Sequence, residues 1–229
     1  MMYYAAPSLQ DDTKHCIGAA TSTSMLGPFQ PADEPLACPL EAGGAIDPAA
    51  FVDPNDDNLY VVYKVDGNSI NTGGGPCNGG GDPTAFHSTP IMVQQVDSSN
   101  GMTPLGKPFQ ILDRNEADGP LIEAPSLFYN NESQLYFLTF SSNCYSTSYY
   151  DISFAYSSTL ESTFVKSKQP LMTSESGPVL SPGGADMTAD GRFALFHGTV
   201  DYVDGEPVRH LFAAESMQAG CDMSAWAIS

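Results

Sequence analysis

The sequence predicts an all-β protein and, within that class, a β-propeller, a ring of four-stranded sheets around a central channel. Three observations predict it. First, one layout recurs: an acidic residue in apolar, small-residue company, a short strand, a polar turn and an aromatic strand. It appears in GGAIDPAAFVDPNDDNLYVVYK at 43–64, in LIEAPSLFYNNESQLYFLTF at 121–140 and, more loosely, in GGADMTADGRFALFHG at 183–198. Second, Tyr60, Tyr136 and Phe193, which sit in the aromatic strands, are spaced widely enough for four strands per unit. Third, no segment sustains apolar spacing at i, i+3, i+4 and i+7, so long helices are not expected. A β-sandwich is the structural alternative, because short strands with regular turns fit both.

In chain order, MMYYAAP matches the aromatic second strand of the unit without the acidic strand before it. CIGAATSTSMLGPFQP, from Cys16, reads as an alternating third strand, a small-residue turn and an outer strand. The same pair recurs in IMVQQVDSSNGMTPLGKPFQI at 91–111 and in ISFAYSSTLESTFVKSKQPL at 152–171, and HLFAAESM at 210–217 resembles the third strand again. Residues 1–229 are therefore one propeller domain with three acidic inner strands and the remainder of a further blade at the start. The longest irregular stretch, 66–89, holds seven glycines but no phosphate-loop Lys-Ser/Thr. It is either a loop on the substrate side or a variable insertion.

Charge excludes several partners. A net charge of −19, from 8 Lys+Arg against 27 Asp+Glu, argues against nucleic acid and anionic membrane. No apolar run is long enough to cross a bilayer, and MMYYAAPSLQ has no basic region leading into an apolar one, so no signal peptide is visible. Cys16, Cys38, Cys77, Cys144 and Cys221 lack CxxC or Cys/His spacing and read as disulfide candidates rather than zinc ligands. Five is odd, so one of them is left over. The sequon Asn131-Glu132-Ser133 falls in an expected turn.

In a propeller the innermost strands line the channel, so acids at one place in successive inner strands converge. Asp47 and Glu123 are such a pair, and Asp186 fills the slot in the looser third repeat. Two carboxylates flanking a bond can act as acid and base in glycoside hydrolysis when one is held protonated. Ile46 and Pro48 flank Asp47, and Ile122 and Ala124 flank Glu123, apolar company that favours burial. The plainer alternative is that these acids bind backbone amides in turns.

YYAAP, HCIGAATS with LGPF, GGAIDPAAFVD with LYVVYKVDGN, DGPLIEAPSLF and YFLTFSSNCY together resemble glycoside hydrolase family 43 over nearly the whole chain and in order. The resemblance implies a five-bladed propeller, incomplete here with about four blades. It also implies an inverting hydrolase for arabinose- or xylose-containing plant polysaccharides or oligosaccharides, secreted, monomeric and binding a carbohydrate. By motif Glu123 is the general acid and Asp47 the acid that orients it and tunes its proton affinity. The family's general base lies on an inner strand upstream of the strand that MMYYAAP resembles, so that base is expected to be absent from this chain. Asp11 and Asp12 follow that strand in a loop and are not assigned the role. The alternative class is a non-catalytic or degenerate sugar-binding propeller.

No cofactor is expected. Family members that hold a central calcium place a His after a Gly-Pro-Gly motif, and SPGGADM has Gly184 there. Asn143, Tyr145, His197 and Arg209 are candidate substrate-binding residues; Tyr149 and Tyr150 follow Glu123's aromatic strand as further polar aromatics. His15 and His87 are read as structural and Trp226 as core. The disulfides are expected to be Cys16–Cys38, around one blade, and Cys77–Cys144, tying the glycine-rich loop to the next blade, with Cys221 unpaired. Spacing alone does not decide this, because four cysteines already allow three pairings.

Overall fold

The structure, a computed structural model, describes residues 1–80, 82, 85–176, 179–219 and 222–228, with side chains described as far as Glu215. It consists of four antiparallel sheets. The first holds β1 (Met2–Pro7), β2 (His15–Thr21) and β3 (Gln30–Pro31). The second holds β4 (Ala45–Val52), β5 (Leu59–Val65), β6 (Ile91–Val96) and β7 (Pro104–Leu112). The third holds β8 (Ile122–Asn130), β9 (Leu135–Ser142), β10 (Asp151–Ser157) and β11 (Val165–Lys166). The fourth holds β12 (Leu180–Met187), β13 (Phe193–Val203), β14 (Glu206–Ala219) and β15 (Asp222–Ile228). The three four-stranded sheets are meanders from the inner strand outward, the three-stranded sheet runs β1-β2-β3, and β1, β4, β8 and β12 pack in succession. These are about four blades of a propeller, the first of them with three strands.

Burial on both faces explains the strand sequences. The second strands of the middle blades, LYVVYKV and LYFLTFSS, are buried almost from end to end. Side chains alternate between the two neighbouring blades, as the period of two requires. On β9, Leu138 and Phe140 join Val62, Ile91 and Ile111 of the second sheet, whereas Phe137 joins Met187 and Ala194 of the fourth. Ile17, Ala45, Tyr63 and Val65 join the first sheet to the second. Polar hairpin turns close on themselves: Asp53 Oδ1 accepts from Asn55 N at 2.9 Å, and Asn130 Oδ1 accepts from Ser133 N at 2.7 Å.

The inner strands carry one device in common. Pairing register slips between Ile46 and Ala49, between Glu123 and Ser126, and between Gly183 and Asp186. At each slip one residue has left-handed backbone: Asp47 at φ 56°, Ala124 at 52° and Gly184 at 61°. Such bulges re-aim side chains. They also correct the sequence reading of one shared acidic slot. Asp47 is equivalent to Ala124 and Gly184; Glu123 stands one position earlier and Asp186 two later. The proline that follows the bulge in both Asp47-Pro48 and Ala124-Pro125 carries the true register.

Both expected disulfides, Cys16–Cys38 and Cys77–Cys144, are present. Cys221 lies outside the described residues, and no side chain is described for Trp226. The glycine-rich stretch opens with a 3-10 turn at Gly67–Ile70. It is held by Cys77–Cys144, by a hydrogen bond between Thr72 Oγ1 and His87 Nε2 at 2.8 Å, and by Arg114 over the Phe86 ring at 4.7 Å.

Leu138 is 0% exposed at the junction of the second and third blades. Leu138→Ala is expected to cost about 2–5 kcal/mol, because the rigid sheets on both sides cannot collapse into the void. A urea unfolding curve whose midpoint does not fall would contradict this placement of the core.

Candidate active site

The bulges bring side chains of neighbouring blades together at one end of the inner strands. Asp47 Oδ2 accepts a hydrogen bond from Ala124 N at 2.9 Å, linking β4 to the bulge of β8. One residue before that bulge, Glu123 has a donor on each oxygen. Tyr150 Oη donates to Oε1 at 2.7 Å, and Lys64 Nζ donates to Oε2 at 3.1 Å. The same ammonium lies 2.9 Å from Asp66 Oδ1. Lys64 has no exposed surface. A bare ammonium there would cost several kcal/mol, so the carboxylates around it are a condition of its burial.

Electrostatics follow from that crowding. Burial pushes the Asp47 carboxyl up to about 6; the charge of Glu123 adds to this, while Lys64 and the Ala124 N–H oppose it. Burial works to lower the Lys64 ammonium, but Glu123, Asp66 and Asp47 outweigh it and the net direction is upward. Tyr150 is raised by burial and then by the Glu123 charge. Asp47 is therefore a protonated carboxylic acid in mildly acidic solution, beside an ion pair.

An open cavity of about 860 Å³ lies against this cluster, walled by Asp47, Ala124, Ser126, Gly184, Asp186 and Tyr3 among others. Among the described residues its acids are Asp47 and Asp186; Glu123 is not on the wall. Asp186 Oδ1 accepts from Ser126 Oγ at 2.8 Å, and Met187 N donates to the same hydroxyl at 3.1 Å.

The remaining sequence candidates divide. His197, on β13, stacks its ring on Tyr150 at 6.0 Å between centroids. Its Nδ1 is buried and has no hydrogen-bond partner among the described residues, and burial, followed by the Arg209 charge, lowers its proton affinity. Arg209 lies over the Tyr145 ring at 5.1 Å and donates to the Tyr145 carbonyl at 3.1 Å. Asn143 is turned toward Gly119 and Asp118, and like His197, Tyr145 and Arg209 it is not on the cavity wall. Asp11 and Asp12 are exposed in the loop after β1.

The Gly184 position does not fit the calcium-side histidine of the family. A Cβ there would stand 2.9 Å from His197 Cδ2, and the backbone is left-handed at φ 61°. Among the described residues no cluster of three His, Cys, Asp or Glu could hold a metal ion. Calcium prefers six to eight oxygen ligands, which an imidazole and a glycine do not offer.

Sequence reasoning did not assign Lys64 or Asp66 to the site, and it offered Tyr150 only as one of several aromatics after Glu123's strand, not as a partner of Glu123. The available signal was a lysine, one of 8 cations, inside an otherwise apolar strand. Such a residue needs a buried anion from outside its own strand.

The comparisons identify the scaffold. The sequence model described as Glycosyl hydrolases family 43 matches residues 1–213. The chain belongs to that family. A thermostable family-43 glycoside hydrolase superposes with a TM-score of 0.74 at 21% identity, covering 99% of this chain and 70% of the other. An endo-1,4-beta-xylanase from Bacteroides thetaiotaomicron VPI-5482 gives 0.65 at 22% identity, covering 99% and 74%. An endo-1,5-alpha-L-arabinanase from Thermotoga petrophila RKU-1 gives 0.66 at 19% identity, covering 100% and 55%. No curated protein matches the chain. The family-43 structures share the fold, and the chain spans part of their length.

Asp47 also makes a pH prediction. The unfolded chain releases this proton near 3.8 and the folded chain near 6. Between those values the native state holds the extra proton, so this contribution is full below the lower value and is lost as pH rises to the upper. Asp47→Asn removes the dependence. From about pH 4 to about pH 7 the variant should gain on wild type by roughly 2–3 kcal/mol in urea unfolding. Parallel pH curves for the two proteins would count against a buried, protonated Asp47.

Proposed function

We propose that this chain is a secreted, monomeric glycoside hydrolase unit for arabinose- or xylose-containing plant polysaccharides or oligosaccharides. The observation that carries this reading is the convergence of Asp47 and Glu123 from adjacent inner strands beside an open cavity, in a family-43 scaffold. Two disulfides suit an oxidising, extracellular setting. Among the described residues no helix is long and apolar enough to cross a membrane.

In this reading Glu123 protonates the departing glycosidic oxygen, with Tyr150 orienting its carboxyl. Asp47, once ionised above about pH 6, supplies the neighbouring negative field that governs proton transfer. A water then attacks the anomeric carbon from the opposite face, inverting it. His197 is assigned to a sugar hydroxyl, and Tyr145, Arg209 and Asn143 to outer contacts, beyond the residues that wall the cavity. Among the described residues, none is assigned to water activation in this reading.

Azide attacks without a base and separates the roles. Wild type incubated with azide and an aryl arabinofuranoside or xyloside should form an inverted glycosyl azide. Glu123→Gln should lower that rate about 10²- to 10⁴-fold. Equal rates for the two proteins would sink the assignment of Glu123.

A second reading, a non-catalytic sugar-binding propeller, is favoured by one observation. Both Glu123 oxygens are occupied, and the cavity wall presents Asp47 and Asp186 instead. Saturable binding of pentose oligosaccharides without turnover, even with azide, would select it.

A further inference from the structure

Lys64 stands at a position that recurs around the ring. It pairs across the strands with Ile46, as Ser141 pairs with Glu123 and His197 with Gly183. Each position on the second strand of its blade is polar, and two reach the inner strand of the next blade. Lys64 Nζ bonds Glu123, and Ser141 Oγ accepts from Gly184 N at 2.9 Å. Lys64 thus crosses from the second blade into the third, directly behind the bulge that carries Asp47's hydrogen bond to Ala124.

We propose that Lys64 is a positioning residue for the Asp47–Glu123 pair: its buried ammonium, bridging Asp66 and Glu123, fixes the Glu123 carboxyl and sets the charge balance around the pair. The proposal rests on the reading of those two acids as the working pair. A packing role alone does not call for a charge. β5 is otherwise apolar, and a methionine would fill the same space without the cost of desolvating an ammonium and its partners. What the charge adds is a fixed donor to Oε2 opposite Tyr150's donor to Oε1. Held from both sides, the Glu123 carboxyl has one orientation.

The charged and titratable groups around the pair come from several packed elements: Lys64 and Asp66 from β5 and its end, Tyr150 ahead of β10, His197 from β13 with Arg209 of β14 behind it, and, on the cavity wall with Asp47, Asp186 of β12 and Tyr3 of β1. Lys64 is the cation that acts directly on Asp47; its charge opposes the burial and the Glu123 repulsion that raise the Asp47 carboxyl. Removing that charge must move the Asp47 titration upward.

The test is carbon NMR of the aspartate carboxyls in the whole chain, with Asp47 assigned by Asp47→Asn. Lys64→Met should raise the Asp47 midpoint by about one pH unit or more, whereas Lys64→Arg, which keeps the charge, should restore it toward wild type. An unchanged midpoint in Lys64→Met overturns the proposal. Wild type alone gives a second readout if the methionine variant does not fold. The Lys64 ammonium signal in nitrogen-labelled protein should shift as Asp47 titrates, and a signal indifferent to that titration also overturns it. Neither readout needs turnover. A chain that turns over no glycoside even with azide but shows both shifts refutes the hydrolase reading and keeps Lys64 in its electrostatic role.

Discussion

A lysine with no exposed surface requires negative charge from outside its own strand, and here that requirement joins two blades. Lys64 leaves the second blade, meets Asp66 at its own end and meets Glu123 on the inner strand of the third. Because desolvated charges tolerate poor geometry badly, the contact fixes the relation between the blades more tightly than apolar packing does. The Ala124 amide adds a second crossing in the same place, through its hydrogen bond to Asp47. The neighbourhood of Glu123 is therefore built from side chains of different blades, each needing another for its own burial.

The bulge makes this possible. A regular strand would send Asp47 and its neighbours alternately into the flanking sheets. The left-handed residue at each bulge breaks that alternation once, and the following residues turn toward the cavity. Gly184 fills the equivalent place in the fourth blade, where the space in front of it is taken by His197. One backbone device thus receives three side chains: an acid in the second blade, a methyl in the third and a hydrogen in the fourth. The chemistry of the ring differs from blade to blade although its geometry repeats.

The glycine-rich stretch belongs to the same region. It begins at Asp66, a partner of Lys64, and Cys77–Cys144 joins it to the turn after β9, next to Tyr145. Gly67 shows how close the contact is, since a Cβ there would lie 2.0 Å from the Ser88 carbonyl oxygen. The segment is tied at its ends and in its middle, and its first residue contributes charge to the site.

Much was written in the sequence itself. Alternating burial on two faces selects aromatic and β-branched residues, so LYVVYKV and LYFLTFSS announce second strands of buried blades. Asn and Asp turns mark their ends, and the recurrence of the whole unit gives the propeller. Asp47 and Glu123 stand out for the same reason, as acids in apolar company. Register was decided by tertiary structure. A bulge adds one residue to one strand, and a pattern read by eye places Asp47, Glu123 and Asp186 in one slot that the backbone separates into three. Partnership was decided there too. Lys64, Asp66, Tyr150 and Glu123 are distant in sequence, and their contact depends on the angle between blades, which no local pattern encodes. The sequence by itself determined the strands and the acids; the packing of blade against blade decided which acid faces the cavity and which faces the lysine, because burial of charge is settled by neighbours brought from elsewhere in the chain.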